Sequence, residues 1–262
     1  MLNAGLTTSI AFLAGGGLST AARLGLAMLA LQASIGALND LVDAPADRIV
    51  KPAKPISAGV VGRPLAIFTV VVGLIVGLAL AAGSGPTTVV IAVIGVGAGY
   101  TYDLRLKGSV WGPAAFAVGV PLLPVFAWVG VTGTLPTPFV GLVPAAVLAG
   151  LGLALANAMA DEEADRLTGI STAVTRLGRP VAWRLHLVAI VGGLSVAGAA
   201  LLAFGGTGPG LVLVASGGAI IAAGIAMTGA DRSTRRRHGW EIEALGIGVL
   251  AAGWLITLRF VS

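Results

Sequence analysis

The sequence predicts an all-α membrane protein, a single domain over residues 1–262 built as a bundle of about nine transmembrane helices. Three observations carry this. Of its residues 56% are hydrophobic and only 10% charged, and the mean hydropathy is +0.98, far above that of soluble proteins. The apolar residues fall in runs close to the roughly 20 residues that cross a bilayer. Forty glycines, with abundant alanine, supply the small side chains through which membrane helices approach one another closely.

Each run is bounded by its own signal. The first, 4–19, is short and meets the second, 21–41, at Gly15-Gly16-Gly17. It lacks a basic start and leads directly into the next span, so it reads as structure and not as a cleavable signal peptide. Gly83-Ser84-Gly85-Pro86 separates spans 63–82 and 86–102. Thr132-Gly133-Thr134-Leu135-Pro136 separates 110–130 from 138–158, Gly205-Gly206-Thr207-Gly208-Pro209 separates 181–203 from 209–229, and 240–260 is the last span. These three turns are small and uncharged.

The remaining connections are basic. They hold Arg48, Lys51, Lys54 and Arg63; Arg105 and Lys107; Arg166, Arg176, Arg179 and Arg184; and Arg232, Arg235, Arg236 and Arg237. Alternate loops thus carry fourteen of the sixteen Lys and Arg residues, leaving Arg23 and Arg259 for the other side. The positive-inside rule places the basic loops in the cytoplasm, the N-terminus inside and the C-terminus outside, in the cell membrane. The net charge of +5 is therefore topology, and nucleic acid is not a partner. With no cysteine, disulfides and thiolate metal sites are excluded.

A repeated acidic pattern marks the site. Asn39-Asp40-Leu41-Val42-Asp43-Ala44-Pro45-Ala46-Asp47-Arg48 ends one apolar run, and Asn157-Ala158-Met159-Ala160-Asp161-Glu162-Glu163-Ala164-Asp165-Arg166 ends another. Both read N-x3-D-x3-D-R. Residues four apart share a helix face, so Asn and the first Asp of each copy point the same way. Pro45 predicts that the first helix ends or kinks there and that Asp47 arrives from a loop. The offset from Asn39 to Asn157 spans four helices, which suggests a parallel duplication with both motifs opening on one side, where they can meet.

Carboxylates held within hydrocarbon cost roughly 2.5–3.5 kcal/mol each, so these must line water, meet cations, or both. Hard cations such as Mg2+ take oxygen ligands, often one or two carboxylates with waters and substrate phosphates. One acidic cluster reads equally well as a charged loop; two in matching register point to a magnesium-diphosphate clamp. The basic stretches beside them, Lys51 to Lys54 and Tyr100-Thr101-Tyr102-Asp103-Leu104-Arg105-Leu106-Lys107, each read singly as ion pairs or topology signals. Converging on one face, they fit phosphate ligands better.

These residues resemble the UbiA superfamily of intramembrane prenyltransferases. The likeness lies in N-D-x-x-D-x-x-x-D (Asn39, Asp40, Asp43, Asp47), N-x-x-x-D-x-x-x-D (Asn157, Asp161, Asp165) and Y-x6-K (Tyr100, Lys107), in that order along the chain. The resemblance implies nine helices around a central cavity, with both Asp motifs binding an isoprenyl diphosphate through Mg2+. On that reading Asp40, Asp43, Asp47, Asp161 and Asp165 hold metal directly or through water, and Asn39 and Asn157 ligate it or orient its ligands. Asp43, Asp161 and Lys107 are the catalytic candidates. Arg48, Lys51, Lys54, Tyr100, Arg105, Asn157 and Arg166 are the candidates for binding substrate.

The implied reaction moves an isoprenyl group to a lipophilic acceptor, aromatic or hydroxyl-bearing, within the membrane lipid. Two alternatives stand beside it: a terpene cyclase of the same superfamily, which needs no acceptor, and an intramembrane cation transporter. A transporter would keep its acids at mid-helix, whereas these lie at helix ends. The sequence departs from the family habit in two places, an acidic Asp103 and a short segment before the first run. His186 reads as packed within a helix, and Arg235-Arg236-Arg237 as a topology signal.

Overall fold

Each of the nine apolar runs folds as a helix in the computed structural model, which describes residues 2–204, 208 and 210–258. The turn expected at 205–209, Gly208 excepted, and Arg259 lie outside the described residues. The nine are α1 (Leu2–Leu13), α2 (Leu18–Val50), α3 (Arg63–Ala82), α4 (Pro86–Thr101), α5 (Gly112–Thr132), α6 (Phe139–Ala160), α9 (Arg179–Ala203), α10 (Gly210–Thr228) and α11 (Ser233–Leu258). Two short helices, α7 (Glu162–Leu167) and α8 (Ala173–Leu177), fill the connection after α6, and one π-helical turn, Tyr102–Leu106, extends α4. Among the described residues eight helices are long and apolar enough to cross a bilayer. The exception is α1, whose 12 residues rise only about 18 Å.

The chain forms two compact units. Residues 1–107 and 122–135 make the first; 108–121 and 136–262 make the second, so that α5 contributes to both. In the first unit α2 is the centre. Its Ala21, Leu24, Ala27, Met28 and Leu31 are buried against Ala11 of α1, Ala81 of α3, Ala92 and Val96 of α4 and Phe126 of α5. Arg23, the basic residue outside the charged loops, is held here by structure: Nη1 donates to Leu80 O (2.6 Å), one of the carbonyls left open at the end of α3, and Nη2 to Ser84 Oγ (2.9 Å).

Pro45 does not end α2. The helix runs on to Val50, and Lys51 N–H bonds Asp47 O (2.8 Å), so Asp47 sits on the helix and not in a loop. A proline inside a helix removes one hydrogen bond and costs about 3 kcal/mol. Lys54 bonds carboxylates on both sides of the proline, with Nζ 3.0 Å from Asp40 Oδ1 and 2.7 Å from Asp47 Oδ2.

In the second unit α10 and α11 are joined by a short turn and pack backbone to backbone. Gly210, Gly217 and Gly224 recur every seven residues on one helix, and Gly239, Gly246 and Gly253 on the other. A Cβ at Gly217 would stand 2.6 Å from Leu250 N, one at Gly246 2.8 Å from Ile221 N, and one at Gly253 2.7 Å from Gly210 O. The partner atoms are backbone and cannot swing away, so only glycine fits. Beneath this seam His186 of α9 is fully buried, stacked on Trp183 at 5.3 Å, with Nδ1 2.9 Å from Gly152 O of α6 and Nε2 3.4 Å from Glu243 Oε2 of α11. A carbonyl only accepts, so Nδ1 carries the proton and Nε2 faces Glu243.

Gly217→Ala should therefore destabilise the protein by about 1–3 kcal/mol in detergent, whereas Gly218→Ala, whose Cβ would meet nothing within 4 Å, should leave the unfolding midpoint unchanged or raised. Equal effects of the two would remove the close contact from the account.

Candidate active site

The first acidic motif lies on the last three turns of α2. Continuity through Pro45 puts Asn39, Asp43 and Asp47 at i, i+4 and i+8, with Asp40 on the adjoining row, so all four share one face. Lys54 returns from the following loop and sits among the carboxylates, 3.0, 3.8 and 2.7 Å from Asp40, Asp43 and Asp47. Burial works against its ammonium, but hydrogen bonds to Asp47 and Asp40 and their charges outweigh that and raise its pKa above the ordinary 10.5. Lys107, from just beyond the π-helical turn, bonds Asp43 Oδ2. Asn39 Nδ2 donates to Asp103 Oδ1 (2.8 Å), and Asp103 is only 5% exposed.

The other candidates in this unit lie further out. Tyr100 shares a hydrogen bond with Ser34 Oγ (2.6 Å), and that hydroxyl also donates to Val70 O (2.6 Å), so Tyr100 links α4, α2 and α3. Lys51 closes α2 through its backbone. Arg48 and Arg105 are exposed.

The second motif straddles a break. Asn157 is in the last turn of α6, Asp161 stands at the junction with φ −98° and ψ 3°, and Asp165 lies in α7. The bonds Asp161 N to Asn157 O (3.2 Å) and Asp165 N to Asp161 O (2.9 Å) preserve helical spacing across it. Arg166 pairs with the buried Glu162 (3.0 Å), which Arg179 also approaches (3.5 Å).

What holds this break is the arginine run read from sequence as a topology signal. α11 begins at Ser233, seven residues before the expected 240, so these arginines are on a helix. Arg236 is fully buried: Nε donates to Met159 O (2.7 Å), Nη1 to Ala230 O (3.1 Å) and Asp231 O, and Nη2 to the Glu163 carboxylate. Burial opposes ionisation of Glu163, but Arg236 outweighs it and holds the carboxyl below the ordinary 4.5. Arg237 Nη2 donates to Asp161 Oδ1 (3.1 Å). Arg236 and Arg237 were legible only as charge; the signal of their role is that an arginine must satisfy five donors when buried.

The oxygens of the first motif suit a hard cation. Asp40, Asp43 and Asp47 converge on one nitrogen, and Asp103 Oδ2 is buried without a hydrogen-bond partner. Among the described residues no three acidic or histidine side chains enclose a metal-sized space as they stand, and Lys54 Nζ sits among the three carboxylates. A divalent ion would enter by displacing that ammonium.

Residues 4–240 match the model of the UbiA prenyltransferase family. The chain belongs to that family. It is 35% identical over 191 residues to the chloroplastic chlorophyll synthase of Arabidopsis thaliana, covering 68% of this chain and 49% of that protein. The chain thus spans about half the length of that curated relative. In structure it is similar to a UbiA homologue from Aeropyrum pernix K1 (TM-score 0.78, 19% identity, 95% of this chain and 94% of that one). It is also similar to one from Archaeoglobus fulgidus bound to GPP and Mg2+ (TM-score 0.72, 18% identity, 97% and 96%). The all-α expectation and the family expectation both hold: this UbiA-family chain has the UbiA fold and is an integral membrane protein.

Arg236→Leu should cost about 3–5 kcal/mol of stability, because it orphans three carbonyls and a carboxylate. Glu163→Gln should cost far less. Its effect should have a defined pH sign: a depressed carboxyl stabilises fully above its ordinary value near 4.5 and loses this as pH falls through the depressed one. Thermal unfolding from pH 7 to 3 checks it, with wild type and Glu163→Gln converging at the acid end.

Proposed function

We propose that the protein transfers an isoprenyl group from an allylic isoprenyl diphosphate to a lipophilic acceptor in the membrane, with Mg2+. The observation that carries this is the stripe of Asp40, Asp43 and Asp47 closing on Lys54 and Lys107, in a chain of the UbiA prenyltransferase family. An acidic face already fitted with two ammonium groups suits a ligand that brings negative charge together with divalent cations. Mg2+, when bound, supplies positive charge to the diphosphate oxygens and so makes diphosphate a better leaving group.

The chain's own residues do the rest. Asp40, Asp43 and Asp47 of the first motif, and Asp161 and Asp165 of the second, are the groups to hold the cations, with Asn39 and Asn157 as neutral oxygen donors. Lys107 and Lys54, freed from the carboxylates, donate to the diphosphate as the allylic C–O bond breaks. The electron pair of that bond leaves with diphosphate, and the allylic cation is taken by a lone pair or π-electrons of the acceptor, which then loses a proton. The allylic cation must be kept from water, which would quench it. Arg48, Lys51, Arg105, Arg166 and Tyr100 are further contacts for substrate. Residues 1–262 act as one prenyltransferase domain.

The acceptor is aromatic or hydroxyl-bearing, and the likeness to a chlorophyll synthase supports an acceptor reaction over cyclisation. The basic loops face the cytoplasm of a cell membrane and the C-terminus lies outside; an N-terminus inside requires the short α1 to cross as well.

Asp43→Asn and Asp161→Asn should each lower turnover of geranyl diphosphate by roughly 10²- to 10³-fold or more. Near-normal rates would remove the motifs from the chemistry. Gas chromatography of the acceptor-free reaction separates transfer from cyclisation: abundant cyclic terpene would replace the transferase reading. Cysteines placed at Ser57 and Ser171 of this cysteine-free chain should label from the cytoplasmic side and one at Ser84 from the other.

A further inference from the structure

Asp103 is the acidic residue that the family pattern does not call for. The π-helical turn that carries it, closed by Lys107 N to Tyr102 O (2.8 Å) across five residues, buries it at the mouth of α4. An ionisable side chain in such a place is costly and needs a use. Its two oxygens differ. Oδ1 accepts from Asn39 Nδ2, and since a carboxylate only accepts, this bond fixes the amide of Asn39 with nitrogen on Asp103 and oxygen left for something else. Oδ2 is buried and has no hydrogen-bond partner.

The surroundings say what the free oxygen lacks. Burial works against a charge on Asp103, the bond from Asn39 and the charge of Lys107 favour it, and the charges of Asp43 and Asp40 oppose it. The carboxylates of Asp40, Asp43 and Asp47 already share the ammonium groups of Lys54 and Lys107, and Asp103 brings a further carboxyl to the same face through Asn39.

We propose that Asp103 is an additional carboxylate of the first cation site, orienting Asn39 through one oxygen and offering the other, directly or through water, to a divalent ion. This rests on the metal-diphosphate reading and adds to it a charge supplied from α4 instead of from either Asp motif. It makes Asp103 a residue that serves the ion at the expense of the fold.

The test is Mn2+ binding to the purified protein in detergent without substrate, followed by the EPR signal of free Mn2+, together with thermal unfolding. Asp103→Asn keeps an oxygen that can accept from Asn39 and removes the charge. It should leave the fold as stable as wild type or more so, yet weaken Mn2+ binding about tenfold or more, the usual effect of losing a supporting group at a metal. Asp103→Ser, as a second variant, should weaken it at least as much. A role confined to holding Asn39 would instead leave Mn2+ affinity at the wild-type value in Asp103→Asn, and that result overturns the inference. Asp43→Asn separates the levels. If wild type binds Mn2+ and Asp43→Asn does not, the underlying metal reading stands whatever Asp103→Asn shows; if wild type binds none, with or without inorganic diphosphate, both fall.

Discussion

Lys54 bonded to Asp40 and Asp47 across Pro45 is the contact on which the first half of the candidate site depends. It bridges α2 where the helix passes through a residue that ordinarily stops one, and continuity there is what puts Asn39, Asp43 and Asp47 on one stripe. It also settles the charge problem of a membrane protein with acidic helix ends. Carboxylates near hydrocarbon need a cation close by, and the loop supplies one. The same interaction holds the fold and occupies the position a metal would take, so structure and chemistry compete for one set of oxygens.

The second motif reaches a similar end by other means. Its helix does break, at Asp161, and the break is fixed by Arg236 from α11 with five donated bonds to three carbonyls and one carboxylate. Arg237 places a guanidinium on Asp161 as Lys54 places an ammonium on Asp47. Two motifs that share the spacing N-x3-D-x3-D-R are therefore built differently, one as a continuous helix stapled by a loop and one as a helix end clamped by a distant arginine. The clamp is carried by α11, whose glycines lie against the backbone of α10.

Much of this was legible in the sequence where the signal is local. Apolar runs give helices because hydrocarbon leaves the backbone no other partner, and the order of Asn, Asp, Tyr and Lys residues placed the candidates before any coordinates. What was not legible depends on partners far along the chain. Pro45 reads as a stop unless Lys54 is known to fold back. Arg236 reads as topology until Met159 and Glu163 are seen beside it, and Arg23 as an exception to the charge rule until it meets Leu80 O. The seven-residue glycine repeats were present in the letters, but forty glycines hide six unless the two helices are set against each other.

The central claim is that the acidic motifs bind an isoprenyl diphosphate by way of a divalent metal. Its most direct test is calorimetry of the purified protein with an unreactive geranyl diphosphate analogue, in Mg2+ and again in excess chelator. The account predicts binding in Mg2+ that is lost in chelator, since without metal the carboxylates repel the ligand and keep Lys54 and Lys107 for themselves. Equal affinity in both conditions would contradict it, for then the basic residues alone would hold the diphosphate and the Asp motifs would have no part in binding.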